Sequence, residues 1–273
     1  MFLLRDYKDI LKKIKNKKPL IHHITNYVTA TDCANTVLAL GASAVMADDP
    51  LEVEEVVIHS DALVLNMGTL NQQKIEAFIL AGRKANDLGI PIILDPVGVG
   101  GTKLRSEALK RILKEIKVSV IRGNMSEIKH IYGIEEMTRG VDSISDSKDG
   151  GKEISKAIAQ RHKCVVAITG EIDYISDGNQ TFSIRNGHKM LTNITGTGCM
   201  TTSLIGVCCG ATKDIFMATA LAISIMGIAG ERAYEDLQDK SGIGSFKVHL
   251  LDAIGGFTIE LLEERGRIDG LSY

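Results

Sequence analysis

Short apolar runs rich in Val, Ile, Leu and Ala alternate along the chain with longer segments whose apolar residues recur three and four positions apart. That is the pattern of a mostly parallel sheet with crossover helices. The runs Ala42–Met46, Ala62–Met67, Pro91–Leu94, Val118–Ile121 and Cys164–Ile168 predict strands. Residues 28–40, 51–58, 70–88, 103–116, 124–132 and 151–162 predict helices, with Gly41 and Gly89 where helix C-caps belong. Asp177-Gly178, between Asp173–Ser176 and Thr181–Arg185, predicts a hairpin, so the sheet gains antiparallel strands late. Helices dominate from residue 197 onward. The fold class is α/β.

Residues 138–151 are the most polar, turn-rich stretch and predict a mobile surface loop. The strand–helix series continues on both sides of it, so residues 1–273 are expected to form one domain. With 273 residues and 44% hydrophobic content, the chain is long enough to bury a substantial core. Lys+Arg of 32 against Asp+Glu of 34 argues against nucleic acid or an anionic membrane as partner. The lack of Trp weakens any base-stacking platform as well. Residues 215–230 are uncharged but short for a membrane span and rich in small residues, which predicts a buried core helix. The five cysteines (Cys33, Cys164, Cys199, Cys208, Cys209) are odd in number and show no C-x-x-C spacing, so neither a disulfide framework nor a zinc site is favoured. No signal-peptide apolar region opens the chain, and it reads as cytoplasmic with a small-molecule partner.

The candidate chemistry sits where predicted strands end, the edge at which open α/β sheets collect ligands. Asn66-Met-Gly68-Thr69, Asp95-Pro-Val-Gly98, Arg122-Gly-Asn124 and Thr169-Gly-Glu171 all fall there. Asp95 suits a place beside Mg²⁺ and transferring phosphates, or a simple turn before Pro96. Arg122 offers a planar donor fork to phosphate oxygens. Asn124 and Glu127 have the spacing of a helix capping box, and Glu127 also brings a second carboxylate toward Asp95. Asp173 is a weaker candidate on the same edge. Asn26 suits a substrate heteroatom and Met46 an adaptable apolar wall, although the residues alone favour a helix cap and a core methionine over those roles. Gly196-Thr-Gly198-Cys199 precedes a long apolar helix, which makes an anion cradle of backbone N–H groups with a thiol inside it. The positive field there is expected to lower the Cys199 pKa. No P-loop, early G-x-G-x-x-G, H-E-x-x-H or G-x-S-x-G occurs.

Taken in order, these motifs resemble the hydroxyethylthiazole kinase family of the ribokinase-like superfamily. The resemblance spans nearly the whole chain, from Thr25-Asn26-Tyr-Val28 and Gly41-Ala-Ser-Ala-Val-Met46 to Thr195-Gly196-Thr-Gly198-Cys199. It departs from the family only modestly at Ala44-Val45-Met46, where a proline often precedes the methionine. The resemblance implies a three-layer fold, a mostly parallel sheet with helices on both faces. It implies phosphorylation of 4-methyl-5-(2-hydroxyethyl)thiazole by Mg-ATP in thiamine salvage, by a homotrimer with pockets at subunit boundaries. A kinase of the same fold acting on another small alcohol, such as hydroxymethylpyrimidine, is the alternative. By resemblance Asn26, Val28, Met46, Gly68 and Gly196 line the thiazole pocket, Arg122 and Thr169 contact ATP, and Asp95 and Glu127 organise Mg²⁺. Cys199, with Gly196 and Gly198 beside it, is the catalytic group, accepting or positioning the substrate hydroxyl proton where ribokinase relatives commonly use an aspartate.

Overall fold

The computed structural model describes residues 2–135, 150–239 and 241–270. Among the described residues nine strands form one sheet: β1 (Leu20–Ile24), β2 (Ser43–Met46), β3 (Ala62–Asn66), β4 (Ile92–Asp95), β5 (Val120–Asn124), β6 (Val165–Thr169), β7 (Asp173–Ser176), β8 (Thr181–Ile184) and β9 (Ile268–Asp269). Their order is β2-β1-β3-β4-β5-β6-β7-β8-β9. Pairing is parallel from β2 through β6 and antiparallel from β6 to β9.

Successive strand residues point to opposite faces, and two separate cores follow from that period of two. Val64, Ile93 and Val120 join one core, while Leu63, Leu65, Ile92, Leu94 and Ile121 join the other. The first core is covered by α1 (Phe2–Lys17), α2 (Ala30–Ala39), α8 (Thr197–Ala211), α9 (Ile215–Glu235), α10 (Ile243–Gly255) and α11 (Ile259–Arg265). The second is covered by α3 (Val53–Ile58), α4 (Gln72–Leu88), α5 (Lys103–Glu115), α6 (Met125–Glu135) and α7 (Gly150–His162). A mixed sheet with helices on both faces is the architecture the sequence pattern and the resemblance imply.

The predicted strands and helices all form, with ends shifted by at most three residues. Gly89 closes α4 in the left-handed conformation (φ 68°), as expected of a C-cap. Three elements were not expected. In α1, Tyr7, Ile10, Leu11 and Ile14 make a buried stripe at helical spacing, hidden among lysines. In β1 two histidines interrupt the apolar run, and both are buried. His22 Nε2 lies 2.8 Å from the Ala47 carbonyl oxygen, and His23 Nε2 lies 3.0 Å from Ser203 Oγ. Burial pushes the His23 imidazole down to about 4, so it is neutral in the core. Strand β9 has only two residues, too few for a periodic signal.

Residues 215–230 belong to α9, a helix long and apolar enough to cross a membrane but buried over most of its length among other elements. All five cysteines are free. The expected mobile loop at 138–151 lies outside the described residues except for Gly150 and Gly151, which open α7.

Candidate active site

The register of the parallel strands brings the predicted chemistry to one edge. Asn66 at the end of β3 pairs with Asp95 at the end of β4, and Asn124 of β5 pairs with Thr169 of β6. Over these ends sits the start of α8. Gly196 precedes that helix at φ 94°, a conformation that glycine adopts without strain, and a Cβ there would lie 2.6 Å from Thr29 Cγ2. At Gly198 a Cβ would lie 2.7 Å from Arg122 Nη1, so the guanidinium rests against bare backbone. The first N–H groups of α8 thus face the strand ends beside a cation, an arrangement suited to phosphate.

Asp95 is 1% exposed. Its Oδ2 accepts hydrogen bonds from Asn66 Nδ2 and Thr202 Oγ1, both at 2.9 Å, and lies 3.8 Å from Arg122 Nη1. Its Oδ1 is buried without a partner. Burial pushes the Asp95 carboxyl up to about 6, against the opposing pull of Arg122 and the two hydrogen bonds. Arg122 also donates through Nη2 to Thr169 Oγ1 at 2.5 Å. The two nucleotide candidates are therefore in direct contact, with the Asp95 carboxylate beside them.

Glu127 has a different surrounding. Its Oε2 accepts the Asn124 N–H at 2.9 Å while its own N–H donates to Asn124 Oδ1, the expected reciprocal cap. Its Oε1 takes the Gly98 N–H at 2.8 Å. The capping reading is correct, and the carboxylate also ties the β4–α5 loop to α6. Among the described residues no three His, Cys, Asp or Glu side chains form a metal cluster. A Mg²⁺ ion held mainly by phosphates and water needs only one or two carboxylates, and the unpartnered Oδ1 of Asp95 fits that demand.

Cys199, half-buried in the first turn of α8, accepts N–H donors from Asn66 Nδ2 at 3.3 Å and Asn26 Nδ2 at 3.5 Å. The expectation of a lowered thiol pKa is overturned. Burial, and after it the Asp95 carboxylate, push the Cys199 thiol up, and the Thr29, Asn66 and Arg122 contributions in the other direction do not offset them. The helix terminus supplies a positive field, but the carboxylate and the lost hydration oppose it.

Asn26 is buried against Gly68, where a Cβ would come within 2.8 Å of Asn26 Cβ. Asn26, Gly68, Gly196 and Cys199 are thus brought together. Val28 and Met46 are not enclosed with them: in the single chain they are 57% and 38% exposed. On the other side of Arg122, a cavity of about 660 Å³ is bounded by Arg122, Thr169, Gly198, His188, Ile223 and Met226. Asp173, the weaker candidate, also lines it, and its carboxyl is pushed up to about 7, chiefly by burial. A second cavity of about 850 Å³ lies beneath Gly98–Gly101 and shares Asn124 and Glu127 with the site edge.

The sequence model of the "HK: Hydroxyethylthiazole kinase family" matches residues 11–260. The hydroxyethylthiazole kinase of Alkaliphilus oremlandii is 56% identical over 98% of this chain and 99% of its own. The chain belongs to the hydroxyethylthiazole kinase family. The family's enzyme from Clostridium beijerinckii is 50% identical over 95% of each chain. The solved structure of the hydroxyethylthiazole kinase protein from Pyrococcus horikoshii superposes with a TM-score of 0.89 at 37% identity, covering 98% of this chain and 100% of that one. A pyridoxal kinase from Staphylococcus aureus shares the fold, at TM-score 0.61 and 16% identity over 79% of this chain and 88% of that one. As a kinase of this family the protein is a phosphotransferase that acts on a thiazole alcohol with ATP as co-substrate.

Sequence reasoning left out Thr202, a helix residue whose hydroxyl reaches back to Asp95. It also left out His188, Ile223 and Met226 of the cavity wall, which come from elements distant in sequence. The Thr201-Thr202-Ser203 run inside an otherwise apolar helix was the available signal for the first.

Proposed function

We propose that this chain, acting as one catalytic domain, transfers the γ-phosphoryl group of Mg-ATP to the hydroxyl of 4-methyl-5-(2-hydroxyethyl)thiazole, in the cytoplasm and in the service of thiamine salvage. The observation that carries the reading is the buried, unpartnered oxygen of Asp95 beside the Arg122–Thr169 contact at the start of α8. Phosphoryl transfer asks the protein for in-line placement and charge neutralisation more than covalent chemistry. Arg122 and Thr169 hold the phosphates, with the base and ribose in the 660 Å³ cavity. Asp95, whose Oδ1 has no protein partner, would hold Mg²⁺, with Glu127 supporting the ion's surroundings. When bound, Mg²⁺ neutralises phosphate charge. Backbone N–H groups from Gly196 to Cys199 face the charge that develops on the transferring group. The thiazole lies between Asn26, Gly68 and Gly196, with its hydroxyl toward Cys199, which accepts the proton in its thiolate form or positions the hydroxyl.

The alcohol pocket is completed by a second copy of the chain, in a homotrimer. Tyr27, Val28, Leu38, Met46 and Leu51 support this: a cluster of large apolar side chains exposed on and around α2 and β2. The test is a coupled ADP-release assay on hydroxyethylthiazole, hydroxymethylpyrimidine and other small alcohols, with and without Mg²⁺. Turnover is expected with hydroxyethylthiazole and Mg²⁺. A folded enzyme that turns over hydroxymethylpyrimidine instead would move the reading to the alternative substrate.

A further inference from the structure

Asn66 has its whole carboxamide turned into the site. Nδ2 donates to Asp95 Oδ2 at 2.9 Å and to Cys199 Sγ at 3.3 Å. Oδ1 accepts from Asn26 Nδ2 at 3.0 Å and from the Gly68 N–H at 2.9 Å. The Gly68 N–H requires an acceptor, which fixes the oxygen end of the amide. Asn26 is fixed likewise, since its Oδ1 accepts from the Thr29 N–H at 3.0 Å. The sulfur therefore faces two N–H donors on buried side chains that have no alternative orientation. Such donors favour a sulfur that carries negative charge, and they act against the burial and the Asp95 charge that favour the thiol.

Building on the reading of Cys199 as proton acceptor, we infer that Asn66 is a positioning residue for the transfer. Its single carboxamide sets the Cys199 sulfur and the Asp95 carboxylate at a fixed separation, and with Asn26 it supplies the N–H donors of the thiolate. In the step, which starts from the Cys199 thiolate that these donors favour, the substrate O–H bond breaks as S–H forms. The freed oxygen bonds to the γ-phosphorus, and the bond from that phosphorus to the departing ADP oxygen breaks. The amide hydrogens stay in place throughout.

Asn66→Asp keeps an oxygen for Gly68 and Asn26 but removes both donors. Asn66→Leu removes the donors without adding charge, and Asn66→Ser takes its place should that variant fail to fold. In each, kcat is expected to fall about tenfold to a hundredfold, the effect of losing a hydrogen bond to a charged group. For Asn66→Asp, KM for hydroxyethylthiazole is expected to stay within about threefold of wild type, because the pocket contacts persist. Iodoacetamide labelling of Cys199 at pH 8, followed by peptide mass spectrometry, is expected to slow about fivefold in the neutral variant as the thiolate fraction drops. In a Cys199→Ala background the kcat loss from Asn66→Asp is expected to shrink, the coupling that a shared partner produces. An Asn66→Asp enzyme with wild-type kcat, or an equal loss with and without Cys199, would overturn the inference. Full kcat in Cys199→Ala alone would instead overturn the proton-acceptor reading, and it is observed without any change at Asn66.

Discussion

Arg122 and Thr169 meet at the rim of a cavity walled by a single chain, whereas Val28 and Met46 are exposed to solvent. The nucleotide half is thus furnished by strand ends of the central sheet and by α8 and α9, elements locked into the core. The alcohol half leans on β2, the edge strand, and on the segment before α2, where Tyr27 is 81% exposed and nearby Leu51 91%. One half has its polar groups prearranged, and the other presents apolar surface without a cover. On the proposed reading, nucleotide binding would be a property of one chain and alcohol binding a property of the assembly.

The largest expected effect comes from the group between the halves. Asp95→Asn should lower kcat at least about a hundredfold, the scale of losing a preorganised charge in a phosphoryl-transfer site. The pH profile gives the same comparison in wild type, because Asp95 titrates at about 6. Activity should fall below about that pH as the carboxyl takes up a proton, with the fall moving to lower pH when bound Mg²⁺ opposes protonation. Stability moves the other way. A carboxyl whose folded pKa lies above its unfolded value binds the proton more tightly when folded, so this group's contribution weakens the fold as pH rises from about 4 through about 6. Thermal unfolding of wild type and Asp95→Asn across that window checks the sign: the wild-type Tm should lose ground to the variant as pH rises.

A smaller effect is expected at Gly198. A methyl group there lies 2.7 Å from Arg122 Nη1, so Gly198→Ala should displace the guanidinium and raise KM for ATP about tenfold. KM for the alcohol should change less, and steady-state kinetics with each substrate varied in turn reads the split. Equal changes in the two would blur the division between halves.

Much of the edge was legible in the sequence because parallel strands announce themselves as apolar runs, and the first polar residue after each run lands on the ligand side. Asn66, Asp95, Arg122 and Thr169 were found in that way. The capping box at Asn124 and Glu127 was legible too, since its spacing is local. What depends on tertiary approach was not. The Thr202 hydroxyl reaches Asp95 across 107 positions of sequence. The raised Cys199 thiol follows from how deeply α8 is packed and how near it brings Asp95, neither of which local spacing encodes. Strand β1 escaped notice because its two histidines read as polar, although the fold keeps His23 neutral inside the core.

The division between the halves is tested most directly by isothermal titration of a Leu38→Asp, Leu51→Asp variant, which leaves the pocket residues in place, run beside sedimentation velocity. Two charges on this exposed apolar surface should dissociate the assembly without touching the strand-end groups. A monomer is expected that binds a non-hydrolysable ATP analogue within about threefold of the wild-type Kd, while hydroxyethylthiazole binding weakens at least about tenfold, the cost of removing one wall of an apolar pocket. A monomer that binds the alcohol as tightly as wild type would contradict that division.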